Sequence, residues 1–239
     1  MALLKDFFYQ PDDEKLKGIS HKNVLIKQSI IAHMAVEGWC TLAELTKALH
    51  ISVPTMTKLV GELVEEGVVV DNGKVETAGG RRPNIFGLAN TAIYFTGVDI
   101  GRDFIQMVVT DLKNNIITSK LVTPFTLTDD EVCLAEICRT INEFLDNCTV
   151  ERNKILGMGV CIVGRVNPAT GHSYMFFTSS DKSLKDSIEE ATGVTVLVEN
   201  DTRARCFAEY YSGDSAKEKN MLYLHLGRGV AIGIIAEGK

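Results

Sequence analysis

Residues 41–88, TLAELTKALHISVPTMTKLVGELVEEGVVVDNGKVETAGGRRPNIFGL, constrain this chain most, because cap, apolar-spacing and turn signals follow one another without a gap. Thr41, with Glu44 three residues on, predicts a capping box and a helix carrying Leu42, Leu45 and Leu49 on one side. His50-Ile51 predicts a turn. Ser52 predicts the cap of a second helix with Pro54 in its first turn, where the missing N–H removes no intrahelical bond. Val53, Met56, Leu59, Val60, Leu63 and Val64 repeat at helical spacing and predict its core side. Gly67 ends that helix, 68–70 predicts a strand, Asn72-Gly73 a tight hairpin turn, and Arg81-Arg82-Pro83 follows Gly79-Gly80 on the far side of a two-stranded wing.

Helix, sharp turn, longer helix and wing make a winged helix-turn-helix. A preceding helix over 19–36, with Val24, Ile26, Ile30, Ile31 and Met34, supplies the third member of its core before Gly38 and Trp39 break it. The solvent side of the second helix carries Thr55, Thr57 and Lys58, short hydroxyls and a cation that suit base edges and phosphates in a major groove. Together with Thr41 and Ser52 at the helix N-termini, and with Arg81 and Arg82 as phosphate or minor-groove contacts, they are the candidate DNA-binding residues. The alternative is a helical hairpin that only packs and leaves these side chains solvated; the wing arginines weigh most against it.

The 239 residues, 45% hydrophobic and 23% charged, accommodate one small and one larger domain. No run approaches the roughly 18 apolar residues of a membrane span, and the acidic, proline-containing start does not resemble a secretory signal, so a cytoplasmic protein with no membrane partner is expected. Cys40, Cys133, Cys138, Cys148, Cys161 and Cys206 include no Cys-x-x-Cys pair, which argues against a metal cluster and fits reduced, mostly core thiols. Net charge is −6, yet residues 15–90 hold nine Lys and Arg against seven Asp and Glu, while 91–239 hold 15 against 20. The positive balance sits with the helix-turn-helix and is small, so useful affinity for double-stranded operator DNA calls for a homodimer or higher homo-oligomer.

Residues 1–17, with Phe7, Phe8 and Tyr9, are expected to be an N-terminal arm, 18–90 the winged domain, and 91–239 a second domain. Beyond the join at 90–91 the pattern changes to apolar runs between turns: strands at 93–100, 104–111 and 116–122, a helix at 131–147 with Val132, Leu134, Ile137, Ile141, Phe144 and Leu145, a buried strand at 155–163, then helix 184–191, strand 194–198, helix 202–211 and strands 221–226 and 231–236. A meander followed by alternating helices and strands indicates an α/β domain with a mixed sheet.

Four stretches of it carry chemistry. Asp99-Ile100-Gly101 puts a carboxylate and a glycine at the end of the first strand. Residues 158–171, MGVCIVGRVNPATG, run a buried strand into Gly164 and a compact turn, either a ligand loop or a structural one. Glu199-Asn200-Asp201 places a carboxylate and an amide at a strand's carboxyl end, where open α/β sheets bind ligands, although Asp201 could equally serve as a helix cap. Gly227-Arg228-Gly229 is a glycine-rich turn between two strands.

In this order, the four stretches resemble the ROK family (repressors, open reading frames and sugar kinases) of the actin-like, sugar-kinase and Hsp70 fold, from about residue 95 to the end. With Gly-Arg-Arg-Pro and a winged helix-turn-helix in front, the chain resembles the family's repressor branch. The resemblance implies an all-α winged helix-turn-helix followed by a sugar-kinase-type (ribonuclease H-like) α/β sheet, with 91–239 as the first subdomain. It further implies Gly164, Asn200 and Asp201 as sugar-binding residues, Asp201 at the kinase general base, Glu209 in the helix that follows, and Asp99, Gly101, Gly227 and Gly229 in two phosphate motifs.

Departures from the family's pattern decide between branches. Arg102-Asp103-Phe104 replaces the small and polar residues that let nucleotide phosphates approach, and Arg228 and Ala231 depart from the second phosphate motif. Kinase activity is therefore not expected, nor any catalytic residue. The stretch 173–180 also lacks the Asn that many relatives place on the sugar. Relatives continue into a further subdomain with structural zinc, whereas this chain ends at Lys239, so a truncated form is expected, with no cofactor or metal in this chain and an exposed apolar surface where the other half would meet it. The first reading is a repressor releasing operator DNA in response to a sugar or sugar phosphate; the alternatives are an ATP-dependent sugar kinase with a DNA-binding extension and a domain that only dimerises the winged units.

Overall fold

The computed structural model describes residues 19–74, 83–89, 93–213 and 218–238. The chain divides into two compact units, one of residues 1–94 with 110–115, the other of 95–109 with 116–239. The expected arm at 1–17, Arg81 and Arg82, and the expected join at 90–91 lie outside the described residues.

In the first unit α1 (Ile19–Glu37), β1 (Cys40–Thr41), α2 (Leu42–Leu49), α3 (Val53–Glu65), β2 (Val69–Lys74) and β3 (Asn84–Leu88) follow in order, the strands pairing antiparallel as β1-β3-β2. The capping box forms: the Glu44 N–H donates to the Thr41 hydroxyl (3.2 Å) and the Thr41 N–H to Glu44 Oε2 (2.7 Å). His50, left-handed at φ 53°, closes α2, and Gly67 at φ 74° follows the end of α3. Met56, Leu59, Val60 and Leu63 of α3 are buried with Leu45 of α2 and Ile30 and Met34 of α1. Each such side chain contributes about 1.5–3 kcal/mol on burial, so this cluster rather than helix propensity holds three short helices together.

Three expectations need correcting here. Val53, placed on the core side by its spacing, is 58% exposed, because a side chain at the first helical position leans back past the helix end and has no preceding turn to cover. Asn72-Gly73 is not the hairpin turn: β2 continues to Lys74, and these two residues bulge between the pairs Asp71↔Phe86 and Lys74↔Asn84, with Gly73 at φ 77° donating its N–H to Asp71 Oδ1 (2.9 Å). The sheet also has a third strand, β1, whose two residues are too few to show an alternating pattern.

The larger sheet and its partners comprise β4 (Tyr94–Ile100), β5 (Ile105–Asp111), β6 (Ile116–Val122), α4 (Glu131–Asp146), β7 (Ile155–Ile162), β8 (Val166–Asn167), β9 (His172–Ser173), α5 (Leu184–Thr192), β10 (Val196–Asn200), α6 (Asp201–Ser212), β11 (Met221–Leu226) and β12 (Val230–Ile235). Five strands lie side by side as β6-β5-β4-β7-β10. β7 and β10 are parallel, from Val196↔Met158 to Asn200↔Ile162, whereas the four-residue links before β5 and β6 can only reverse the chain, so the sheet is mixed. Val98, Ile100, Met107, Val160, Ile162 and Val198 are buried, as are Ile137, Ile141 and Phe144 of α4 and Ile188 of α5; alternate positions such as Gln106, Gly159 and Leu197 are exposed. Val132 is another correction: it is 79% exposed, and Cys133 next to it is the buried residue, its N–H capped by Asp130 (2.8 Å).

β11 and β12 form a separate antiparallel hairpin against α6. Along it Leu222, Leu224, Leu226, Val230, Ile232 and Ile234 alternate with half-buried or buried residues and are each at least half exposed. No helix among the described residues is long and apolar enough to cross a membrane.

Candidate functional site

Two surfaces carry the residues singled out above, one in each unit. In the first, the N-terminal turn of α3 presents Ser52, Thr57 and Lys58 to solvent, with Thr55 half-buried. Ser52 sits at the cap position, but its hydroxyl makes no bond to a helix N–H; it pairs with the Thr55 hydroxyl (2.9 Å). The Thr57 hydroxyl donates to the Val53 carbonyl (2.9 Å), which leaves its lone pairs to accept, and Lys58 lies 3.8 Å from Glu62 with its side chain 67% exposed. Thr41 differs from these, since its hydroxyl and N–H are both committed to Glu44. Those same bonds hold the Glu44 carboxyl below its ordinary range. A cleft of about 670 Å³ lined by Leu42, Val53, Lys74 and Asn84 lies alongside.

The sequence reading missed a group at the other end of α3. Lys27 of α1 is buried between Glu62 (2.8 Å) and Glu66 (2.7 Å) of α3. Burial alone would lower its ammonium, but the hydrogen bonds and charges of the two glutamates outweigh it and hold Lys27 above its ordinary value. The i, i+4 spacing of Glu62 and Glu66 is the signal for a shared cation, yet a lysine on a partly apolar helix reads as solvated.

In the second unit Gly164, Asn200 and Asp201 come together where the parallel strands β7 and β10 end. Asn200 donates through Nδ2 to the Gly164 carbonyl (2.8 Å) and to Asp201 Oδ1 (2.9 Å), while its Oδ1 accepts from the Arg203 N–H (3.0 Å). Asn200 is therefore the cap of α6 and Asp201 its first residue, which corrects the assignment of the cap to Asp201. Gly164 adopts φ 95° with Met175 packed against it, so a side chain there would be both strained and obstructed. Arg203 bonds Glu199 Oε1 (2.7 Å) and the Val166 carbonyl (3.1 Å), fastening the loop after Gly164 to α6.

The phosphate-motif residues bond to other groups of the chain. A Cβ on Gly101 would run into the Phe104 ring, and the Gly101 N–H donates to the Phe104 carbonyl (3.0 Å). The Arg102 guanidinium lies over the Phe176 ring at 5.9 Å. Gly227 donates its N–H to the Gly229 carbonyl (2.9 Å), and Arg228 between them reaches Asp103 at 3.5 Å. Asp99 Oδ2 accepts from Arg205 Nη2 (2.9 Å), and Arg205 Nη1 is 3.7 Å from Asp201 Oδ2 and 3.4 Å from the His225 ring nitrogens. Asp99 Oδ1 is buried with no hydrogen-bond partner. Burial and the neighbouring Asp99 charge raise the Cys161 thiol far above its ordinary value. Arg205 and His225 were not found from sequence; the i, i+4 step from Asp201 was the available signal for Arg205.

A cavity of about 360 Å³ opens beside Asp99, Cys161 and Glu199, and another of about 520 Å³ beside Glu199, Arg203 and Phe207. No group of three or more His, Cys, Asp or Glu among the described residues is arranged to hold a metal ion. Within the trio both Asn200 amide hydrogens are used, on the Gly164 carbonyl and Asp201 Oδ1, so the buried Asp201 carboxylate is the group with acceptor capacity to spare.

Residues 95–239 match the ROK family. Over 196 residues the chain is 26% identical to the xylose repressor of Bacillus subtilis, covering 81% of this chain and 50% of that protein. It is 22% identical over 198 residues to the DNA-binding transcriptional dual regulator NagC of Escherichia coli, covering 82% and 48%. Among solved structures, a ROK family transcriptional regulator homologous to E. coli Mlc superposes with TM-score 0.74 at 21% identity, over 91% of this chain and 55% of that one. The inorganic polyphosphate/ATP-glucomannokinase of Arthrobacter sp. strain KM gives 0.52 at 22% identity, over 62% and 60%. Both structural likenesses concern the fold. The chain spans about half the length of the curated relatives it matches.

Proposed function

Since the chain belongs to the ROK family, we propose that it is a sugar-responsive transcriptional repressor of the cytoplasm. Residues 18–90 form a winged helix-turn-helix that binds double-stranded operator DNA as a homodimer, and the α/β unit senses a sugar or sugar phosphate whose binding releases the DNA. The observation that carries this reading over a kinase is the closure of the first phosphate motif by the chain's own groups: Phe104 covers Gly101 and Arg205 holds Asp99. Asn200 and Asp201 keep their place beside Gly164, and a carboxylate there can take sugar hydroxyls with no phosphate donor. The names of the relatives, a xylose repressor and NagC, support the same reading. Structural zinc belongs to it only in a longer natural chain.

On the DNA side the hydroxyl and lysine turn of α3 reads bases and the wing arginines hold phosphates. Operator fragments selected from random duplexes and titrated by fluorescence anisotropy test this. Thr55 and Thr57 changed to Ala should narrow the gap between operator and non-operator DNA, whereas Arg81 and Arg82 changed to Ala should weaken both and reduce the salt slope by about 2. Unchanged binding in both double variants would remove the assignment. Sugar-dependent phosphoryl transfer from ATP at about 1 per second or faster would restore the kinase reading.

A further inference from the structure

One side chain joins the two halves of this site. Arg205, on the second turn of α6, lies between the carboxylate that ends β4 on the phosphate side, Asp99, and the carboxylate that opens α6 on the sugar side, Asp201. It also touches His225 of the β11–β12 hairpin, at 3.4 Å. The bond to Asp99 is short, at 2.9 Å, and spans 106 positions of chain; the approach to Asp201 is longer, at 3.7 Å. Asp201 has only 9% of its side chain exposed, and its Oδ1 is already met by Asn200 Nδ2 (2.9 Å) and the Thr202 hydroxyl (3.4 Å).

We infer that Arg205 is the positioning residue of the effector site: it is the internal cation that Asp99 and Asp201 share, and through it the orientation of the sugar-side carboxylate depends on the phosphate-side strand end. This inference rests on the sugar-sensing reading above. A buried carboxylate is ready to accept hydroxyls only if its charge is balanced and its plane is fixed. Asn200 and Thr202 fix one oxygen, and Arg205 supplies the balancing charge near the other, from a distance that leaves room for a ligand hydroxyl to compete. Asp99, in turn, keeps the guanidinium from swinging onto Asp201 and closing the site. The arrangement gives Asp99 a use that needs no nucleotide, and makes Arg205 the group through which occupancy of Asp201 reaches His225.

The test uses the longest natural form of the protein with Arg205→Met, Arg205→Lys, Asp99→Asn and Asp201→Asn. In calorimetric titrations with xylose, glucose and N-acetylglucosamine, Arg205→Met should weaken the best-bound sugar about 10-fold or more. Arg205→Lys should recover most of that loss, and Asp99→Asn with Arg205→Met should be no worse than Arg205→Met alone. Affinity within twofold of wild type in Arg205→Met, with only its melting temperature lowered, would make the residue a structural tie and overturn the inference. Thermal melting tests the shared cation on which the inference depends, without ligand: melting shifts for Arg205→Met with Asp201→Asn should fall short of additive, and so should those for Arg205→Met with Asp99→Asn. Additive shifts for the Asp201 pair sink the inference. Absence of binding to a broad sugar panel by wild type overturns the sensing reading, and the two melting cycles still decide whether Arg205 couples the carboxylates.

Discussion

Each unit of this molecule holds a cation between two carboxylates, Lys27 in the first and Arg205 in the second, and the two arrangements differ in symmetry and in exposure. Lys27 in the first unit meets Glu62 and Glu66 at nearly equal distances, 2.8 and 2.7 Å, with 7% of its side chain exposed. Both partners stand one turn apart on α3, so the group does one thing, fixing α1 against the helix that carries Thr55, Thr57 and Lys58. Arg205 in the second unit is 30% exposed and lopsided, close to Asp99 and distant from Asp201, with partners drawn from a strand end, its own helix and a hairpin. A symmetric triad around a buried cation holds both carboxylates at hydrogen-bond distance and acts as a tie between helices. The lopsided, half-wet one retains a weak contact that a ligand can replace, and a weak contact at a buried carboxylate is where binding can do work.

The contrast can be broken from either side. The largest effect is expected from Lys27→Met, which leaves two glutamates without their cation, one of them with Oε2 buried and unpartnered, and should destabilise the first unit by about 3 kcal/mol in denaturant titration. Because the Lys27 ammonium is held above its usual 10.5, its contribution is complete at pH values below 10.5 and is lost only as pH rises through the higher folded value. On the alkaline side wild type and Lys27→Met should thus converge in stability only at strongly alkaline pH; convergence near neutrality would show that the triad is not what the substitution removes. Asp201→Asn comes next. It keeps the shape and leaves the Asn200 cap intact, but removes the charge-assisted acceptor, about 1.5–3 kcal/mol, so sugar affinity should fall about 10- to 100-fold while operator binding without sugar stays unchanged. Equal sugar affinity in calorimetry would remove Asp201 from the site. The smallest effect is expected from Glu62→Gln, since Glu62 is 36% exposed and Lys27 keeps Glu66: below about 1 kcal/mol by the same denaturant titration. A loss as large as that of Lys27→Met would mean that the triad is not shared between two equivalent partners.

Much of the fold was legible before the structure. β6 and β11 lie where the apolar runs put them, and α4 starts at Glu131, because caps and alternation are set by neighbours a few residues away. The failures are instructive in the same terms. Val53 and Val132 carry the right spacing but sit in the first turn of their helices, where burial depends on what packs over the end. Asn72-Gly73 has the backbone preference of a tight turn, and the partner strand converts it into a bulge. β10 starts at Val196, two residues later than its apolar run, and extends to Asn200 because its pairing with β7 continues to Ile162. That extension is what makes Asn200, not Asp201, the cap.

The sequence by itself determined the longer helices and strands, the family resemblance and the roster of motif residues, since these depend on residue type and on spacings within a few turns of chain. Only the tertiary structure decided what those residues do to one another. It left Ser52, Thr57 and Lys58 exposed on α3, brought Asn200 against Gly164 across 36 positions, and set Arg205 against Asp99 across 106. Such partners are chosen by which strand ends and helix faces the burial of the core brings together. A charged pair this far apart in sequence leaves no periodic trace, because neither member's neighbours need to know of the other.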